Sequence, residues 1–469
     1  MGADARAAAG PEAQVHHLAG RAHPGFGDAH LHLEWMAAGQ AGVDLGGAAT
    51  RAETLRRVAD FARALPPTAW VSGNGWRNDD WSDDPRSLTR ADLDAAGGGR
   101  PVLLVRRDGH SACLSSSALE AVGYSRESSD PPGGVVDRDT SGQPTGMVRE
   151  EACNVARRRI PELSGAMLDA AVLTVLQGLA GVGLTAVHTM DGPALFGSLQ
   201  RLHRDGRLPI RVVWNLPVEL LGAAEAMGLS SGFGDHWLRV WGVKAFLDGS
   251  LGSRTAELLD GTGVAVTAQD ELVDIVRRCA AARLNVCLHA IGDGAVRRAL
   301  DALEPARGAW PSWRPRVEHA QCVDPADIAR FARIGVIASM QPAHAVADRA
   351  VADAEWPGRI EYSYAWGALQ RSGATLAFGS DAPVEDPSPL RGITAATTWR
   401  SKAGWHPELA ITRSAAIGAY THGVAYAAGM EAEIGELRAG MLCDVTVVDG
   451  DEVTATVVDG RVGWQRGQE

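Results

Sequence analysis

Short apolar runs alternate with amphipathic stretches along most of this chain. From Gly165 onward, helix-like SGAMLDAAVLTVLQGLAGVG precedes strand-like LTAVHTMD, and a polar helix through Arg201 and His203 precedes IRVVWNLP. The rhythm continues through WGVKAFLD, NVCLHAI, PRVEHA, VIASMQ and TLAFGSD, with helical periodicity near Ile275 to Ala282, Ala295 to Leu303, Ile328 to Phe331 and Leu369. Adding GFGDAHLHL near the start gives eight apolar strands. Strands buried on both faces and separated by helices signal parallel βα units. Eight of them without a switch in order predict an α/β chain folded as a (β/α)8 TIM barrel.

Two stretches break the rhythm. LGGAATRAETLRRVADFARAL offers Thr50 as a cap with Glu53 three residues on, which predicts a helix. Beyond it the text turns polar and glycine-spaced, with Trp70, Trp76 and Trp81, a strand PVLLVRRDGH ending at His110, and the turn-rich SSDPPGGVVDRDTSGQPTG. A segment of this length predicts an insertion at about 45–165, after strand 1. At the other end EIGELRAGMLCDVTVVDGDEVTATVVDGRVGWQRG alternates β-formers with Asp-Gly turns, a hairpin pattern. The predicted division is an N-terminal segment 1–24, read as a truncated remnant of a β subdomain, a barrel 25–429 carrying the insertion, and a small C-terminal β subdomain 430–469. Residues 1 to about 23 are Ala/Gly-rich, and no regular element is expected there.

Composition narrows the class. The chain has 469 residues, 45% hydrophobic and 22% charged, as in ordinary globular proteins. A formal charge of -12 disfavours nucleic acid and anionic membrane surfaces as partners and suits a neutral or cationic small molecule. The six cysteines, Cys113, Cys153, Cys279, Cys287, Cys322 and Cys443, form no CxxC pair and read as reduced thiols. With no signal peptide and no apolar run near the ~20 residues of a membrane helix, a cytoplasmic protein is expected. Assembly into a homo-oligomer stays open.

The candidate chemistry lies at strand ends. His30 and His32, two apart, fall on one face of strand 1. Lys244 sits inside an apolar run on strand 4, His289 and His319 end strands 5 and 6, and Asp381 ends strand 8. All fall on the rim where barrel enzymes carry their active groups, and the set predicts a metal centre of one or two divalent ions. Histidine with oxygen ligands suits zinc, with manganese, iron or cobalt as alternatives. Two ions among neutral imidazoles and a single carboxylate would leave a large positive charge. A carbamate on Lys244 with a shared hydroxide would bring it near neutrality. The alternative keeps Lys244 a plain amine beside one metal.

From GFGDAHLHL through GVKAFLDGSLGSRTA, LHAIGDGAV, RVEHAQ, SMQPAH and AFGSDAPVEDPSPL to GMLCDVTVVD, the chain resembles the metal-dependent amidohydrolase superfamily. The branch is that of the YtcJ-like proteins and N-substituted formamide deformylase, also called amidohydrolase family 3. GNGW, RDGH and TGMVRE in the insertion resemble the same branch. The resemblance implies that His30, His32, Lys244, His289, His319 and Asp381 form the metal shell. The chain departs from the family in two places. Only about two dozen residues precede Pro24, where the family places several β-strands. ACLSSSAL also lacks the asparagine that the family often has near Ser115.

The expected reaction is hydrolysis of a C–N amide-type bond in an N-acyl or N-formyl amine by metal-activated hydroxide, with Asp381 as general base and acid. A deaminase, or a hydrolase of esters or cyclic amides, is the alternative on the same fold. Trp76 and His110, in an insertion expected to cover the barrel mouth, are the candidate substrate contacts. His188 and His344 are candidates for pocket lining, Asp28 for a supporting carboxylate, and Gly249 to Arg254 for a bend beside the site.

Overall fold

The computed structural model describes residues 18–40, 42–78, 81–106, 111–160, 163–252 and 254–467. The chain divides into two compact units, one of residues 1–33 and 173–469, the other Glu34–Val172.

In the first unit eight parallel strands run in sequence order: β1 Phe26–Leu31, β2 Leu184–Thr189, β3 Arg211–Pro217, β4 Leu238–Phe246, β5 Asn285–Ala290, β6 Arg316–His319, β7 Ile337–Met340 and β8 Leu376–Phe378. Each pairs with its sequence neighbour. The seam between β8 and β1 is bridged just past the strand ends, where Asp381 N–H donates to His30 O at 2.7 Å and His32 N–H to Ala382 O at 2.8 Å. The result is the nearly closed TIM barrel that the apolar rhythm implies.

Strand alternation decides which side chains face the chemistry. Ala29, Ile337 and Ala377 pack outward with Val424 and Ala427 of the helix His422–Ala427. Asp28 and His30 therefore turn inward. Seam closure also requires a glycine at 379, since a Cβ there would lie 2.6 Å from both Asp28 Oδ1 and the His30 nitrogen.

The C-terminal tail forms an antiparallel sheet of Val445–Asp449, Glu452–Val458 and Arg461–Gln465, extended by Arg21–Pro24. Asp459 (φ 53) and Gly460 (φ 76) adopt the left-handed turn that the Asp-Gly pair favours. The expectation of no regular element before Pro24 is corrected here: Arg21 to Pro24 form a strand because the tail offers their backbone a partner, Arg21 opposite Val448. A buried ion pair joins sheet and barrel, with Arg211 Nε 2.7 Å and Nη2 2.8 Å from the two oxygens of Asp444.

The second unit, 34–172, starts and ends several residues outside the expected insertion. Its sheet runs Val43–Asp44, Val71–Trp76, Val102–Arg106, Ser111–Leu114, Pro144–Glu150, Gly134–Arg138, the first three parallel and the rest antiparallel. The helix Arg51–Ala64 begins as read, Thr50 Oγ1 accepting from Glu53 N–H at 3.0 Å. Among the described residues no helix is long and apolar enough to cross a membrane.

Candidate metal centre

At the C-terminal rim of the barrel the carboxylate of Asp381 is surrounded by imidazoles. Oδ1 lies 3.5 Å from His30 Nε2 and 3.2 Å from His32 Nε2, and Oδ2 lies 3.2 Å from His344 Nε2. The His319 ring is 4.8 Å from that of His30 and 4.4 Å from that of His289, between centroids. Two groups of three donors, His30 with His32 and Asp381, and His319 with His344 and Asp381, have their ligand atoms within 4.8 Å of one another. His319 (φ 71) and Asp381 (φ 61) both adopt left-handed backbone. That strain costs on the order of 1–3 kcal/mol at each and turns both side chains at the strand ends.

Each ring is oriented by a partner on its other nitrogen. His30 Nδ1 meets Glu318 Oε2 at 2.7 Å, His32 Nδ1 meets Asp191 Oδ1 at 3.3 Å, and His319 Nδ1 meets Gln341 Oε1 at 2.9 Å. His289 Nε2 donates to the Gly249 carbonyl at 3.0 Å, which leaves Nδ1 as its free lone pair. Such outer partners fix the tautomer and aim the ligating nitrogen. Asp28 does the same for backbone, accepting from His30 N–H at 2.9 Å and Ser380 N–H at 3.1 Å.

The electrostatics suit a cation. Burial, and then the nearby Lys244 ammonium, push His30 down to about 4 and His289 to about 3, while burial and His289 hold His319 well below the usual range. All three rings are neutral donors at pH 7. Burial opposes charge on His32 and His344 too, but their hydrogen bonds with Asp191, Asp381 and Glu385 outweigh it, raising His32 to about 9 and His344 to about 10. Burial lowers Lys244, against the pull of Glu318 and Asp381. Two buried nitrogens of this site, His30 Nε2 and Lys244 Nζ, have no hydrogen-bond partner among the described residues. Leaving such atoms unpaired is costly, and a divalent cation satisfies the first directly. The donor set fits a metal.

The chain belongs to the amidohydrolase family, whose profile it matches over residues 19–462. It is 30% identical to the putative amidohydrolase YtcJ of Bacillus subtilis (strain 168), over 94% of this chain and 89% of that one. Against N-substituted formamide deformylase of Arthrobacter pascens it is 27% identical over 99% and 92% of the two chains. An uncharacterized metal-dependent hydrolase of Pyrococcus furiosus superposes with a TM-score of 0.75 at 32% identity, over 90% of this chain and 85% of that one. The protein is thus an amidohydrolase-family, metal-dependent hydrolase, and the family implies a divalent metal.

His30, His32, His289, His319 and Asp381 come together at one rim, and the Lys244 charge acts on His30, His289 and His319. Other readings change. Trp76, expected as a substrate wall, has no exposed surface; its indole N–H donates to Leu104 O at 3.0 Å and it packs the core of the second unit with Trp81 and Leu93. His110 lies outside the described residues. His188, expected to line the pocket, is buried with Nδ1 accepting from Arg316 at 2.8 Å. His344 does reach Asp381. Ser115 caps the helix Ser116–Val122, accepting from Ala118 N–H. The supporting groups Glu318, Asp191 and Gln341 passed unnoticed in the sequence, although a glutamate inside the apolar run PRVEHA was a usable signal.

Proposed function

We propose that this protein hydrolyses a C–N amide-type bond in a small N-acyl or N-formyl amine, with His30, His32, Lys244, His289, His319 and Asp381 as the shell of one or two divalent ions, zinc foremost. The observation that carries the reading is the convergence of the neutral imidazoles of His30 on β1 and His319 on β6 on the carboxylate of Asp381, with His289 of β5 beside His319. Nitrogen and oxygen donors of this kind suit zinc. Lys244, buried and without a hydrogen-bond partner among the described residues, can as its neutral amine bond to carbon dioxide and lose a proton, giving a carbamate anion.

When bound, the metal supplies Lewis acidity, lowering the pKa of water towards ~7 and polarising the carbonyl. Asp381 is the base. Its carboxyl is opposed by burial, yet hydrogen bonds with His32 and His344 hold it well below the usual range, so it is ionised when it takes a proton from water. It then gives that proton to the departing amine. His344 holds Oδ2 of the carboxylate and keeps it aimed. Relatedness to a protein named as a formamide deformylase supports the substrate class.

Ring deamination is the weaker reading. The acid a few residues beyond His289 is Asp293, which accepts from Leu259 N–H at 2.8 Å and pairs with Arg359 at 2.9 Å, so it is engaged structurally. Metal analysis with a screen of N-formyl and N-acyl amines tests the proposal. We expect at least one divalent ion per chain and amine release that stops on chelation and returns with zinc. A metal-free protein whose hydrolysis ignores chelators would reject it.

A further inference from the structure

Beneath the ring of histidines, Arg316 and Glu318 follow each other inward on β6, both fully buried. Arg316 Nε lies 2.8 Å from Glu318 Oε1, and its Nη2 donates to Glu318 Oε2 at 3.1 Å. The same guanidinium donates to His188 Nδ1 on β2 at 2.8 Å, to Ser339 Oγ on β7 at 2.9 Å and to the Ala29 carbonyl on β1. One cation thus ties β1, β2, β6 and β7 together directly below His30. Glu318 Oε2, so held, accepts from His30 Nδ1 at 2.7 Å.

We infer that Glu318 is a positioning residue for the metal centre, fixed by Arg316, which keeps the His30 proton on Nδ1 and the Nε2 lone pair turned towards Asp381. The inference rests on the metal reading above. A simple staple of the barrel would need the ion pair but not the third bond to His30. His30 Nε2 is left buried without a hydrogen-bond partner among the described residues, and that unmet atom is the one the Glu318 bond exposes for ligation. Orientation by a carboxylate on the far nitrogen strengthens a histidine ligand, and removing such partners costs about 10–100-fold in metal affinity.

The test compares wild type with Glu318→Gln and Glu318→Asp, measuring zinc affinity by chelator competition, thermal unfolding without metal, and the ring 15N shifts of His30 without metal. The aspartate keeps the charge for Arg316 but withdraws the oxygen from His30. We expect both variants to bind zinc about 10–100-fold more weakly, to stay folded, and to show the His30 proton redistributed between its nitrogens. Unchanged affinity and tautomer in a folded variant overturn the inference. A wild type that binds no zinc defeats the metal reading, while the His30 tautomer still decides the role of Glu318. Where both variants fail to fold, a wild-type proton on Nε2 rather than Nδ1 refutes it, and one on Nδ1 upholds it.

Discussion

Asp381 and His344 meet at 3.2 Å, Oδ2 to Nε2, through the oxygen that is not turned to His30 and His32. The carboxylate is therefore gripped on both sides, one oxygen within the cluster of β1 imidazoles and the other on the loop side of β7. A base so held loses little freedom when it acts. Asp381→Asn keeps the shape and removes the basic oxygen. We expect turnover to fall by at least about 100-fold, the scale of general base catalysis, in a chain that still folds but unfolds at lower temperature without metal, because His32 and His344 lose their buried anionic partner. Full activity would assign the proton to another group.

Lys244 tests the carbamate. Its Nζ is buried beside the Phe246 ring, 4.7 Å from the centroid, and has no hydrogen-bond partner among the described residues. Lys244→Ala should lose at least one metal equivalent by elemental analysis, and short carboxylic acids added to the variant should restore part of the activity by replacing the missing anion. Unchanged stoichiometry would leave Lys244 outside the shell.

The eight-strand order was legible because fully buried parallel strands leave apolar runs too short for helices and rich in β-branched and aromatic residues, and β2 to β8 all follow such runs. His30, His32, His289, His319 and Asp381 were legible because each stands at the end of one. Glu318 and Arg316 were hidden by the same habit: a charged pair inside a strand has meaning only once four strands are seen to meet around it. Trp76 misled for a related reason. Glycine spacing around it resembles a loop, yet Val71–Trp76 is an interior strand of the second unit, and a large aromatic there is consumed by its own core. The strand Arg21–Pro24 has no apolar pattern to announce it, since its place depends on a partner more than four hundred residues away in sequence.

Metal binding should depend on pH through His32. Without metal, its bonds to Asp191 and Asp381 overcome burial and raise it to about 9, so at pH 7 the ring is protonated and cannot be a ligand. A cation must displace that proton. Affinity therefore rises with pH between about 7 and 9 and levels off above, because ligands must be deprotonated and binding releases their protons. His30 and His289, at about 4 and 3, are already neutral and add nothing in this window. Calorimetry at pH 7 in two buffers of different ionisation enthalpy reads the release directly. Equal apparent enthalpies would mean that His32 enters the complex without losing a proton.

Gly379 offers a purely steric test of the barrel seam. Its N–H donates to Met340 O at 3.0 Å, and a Cβ at 379 would press on the Asp28 carboxylate and the His30 nitrogen, backbone that cannot swing aside. Gly379→Ala should cost about 1–3 kcal/mol, as overpacking does, and should weaken zinc binding, because what moves to relieve it is the strand that carries His30. Gly178, exposed in the helix Gly165–Gly181 with open space around its Cβ position, is the contrast. There the same change replaces a poor helix former, so Gly178→Ala should stabilise by up to about 1 kcal/mol and leave metal content untouched. Thermal unfolding and elemental analysis of the two variants give four readings, and if Gly379→Ala retains both stability and metal, the seam has more room than its glycine implies.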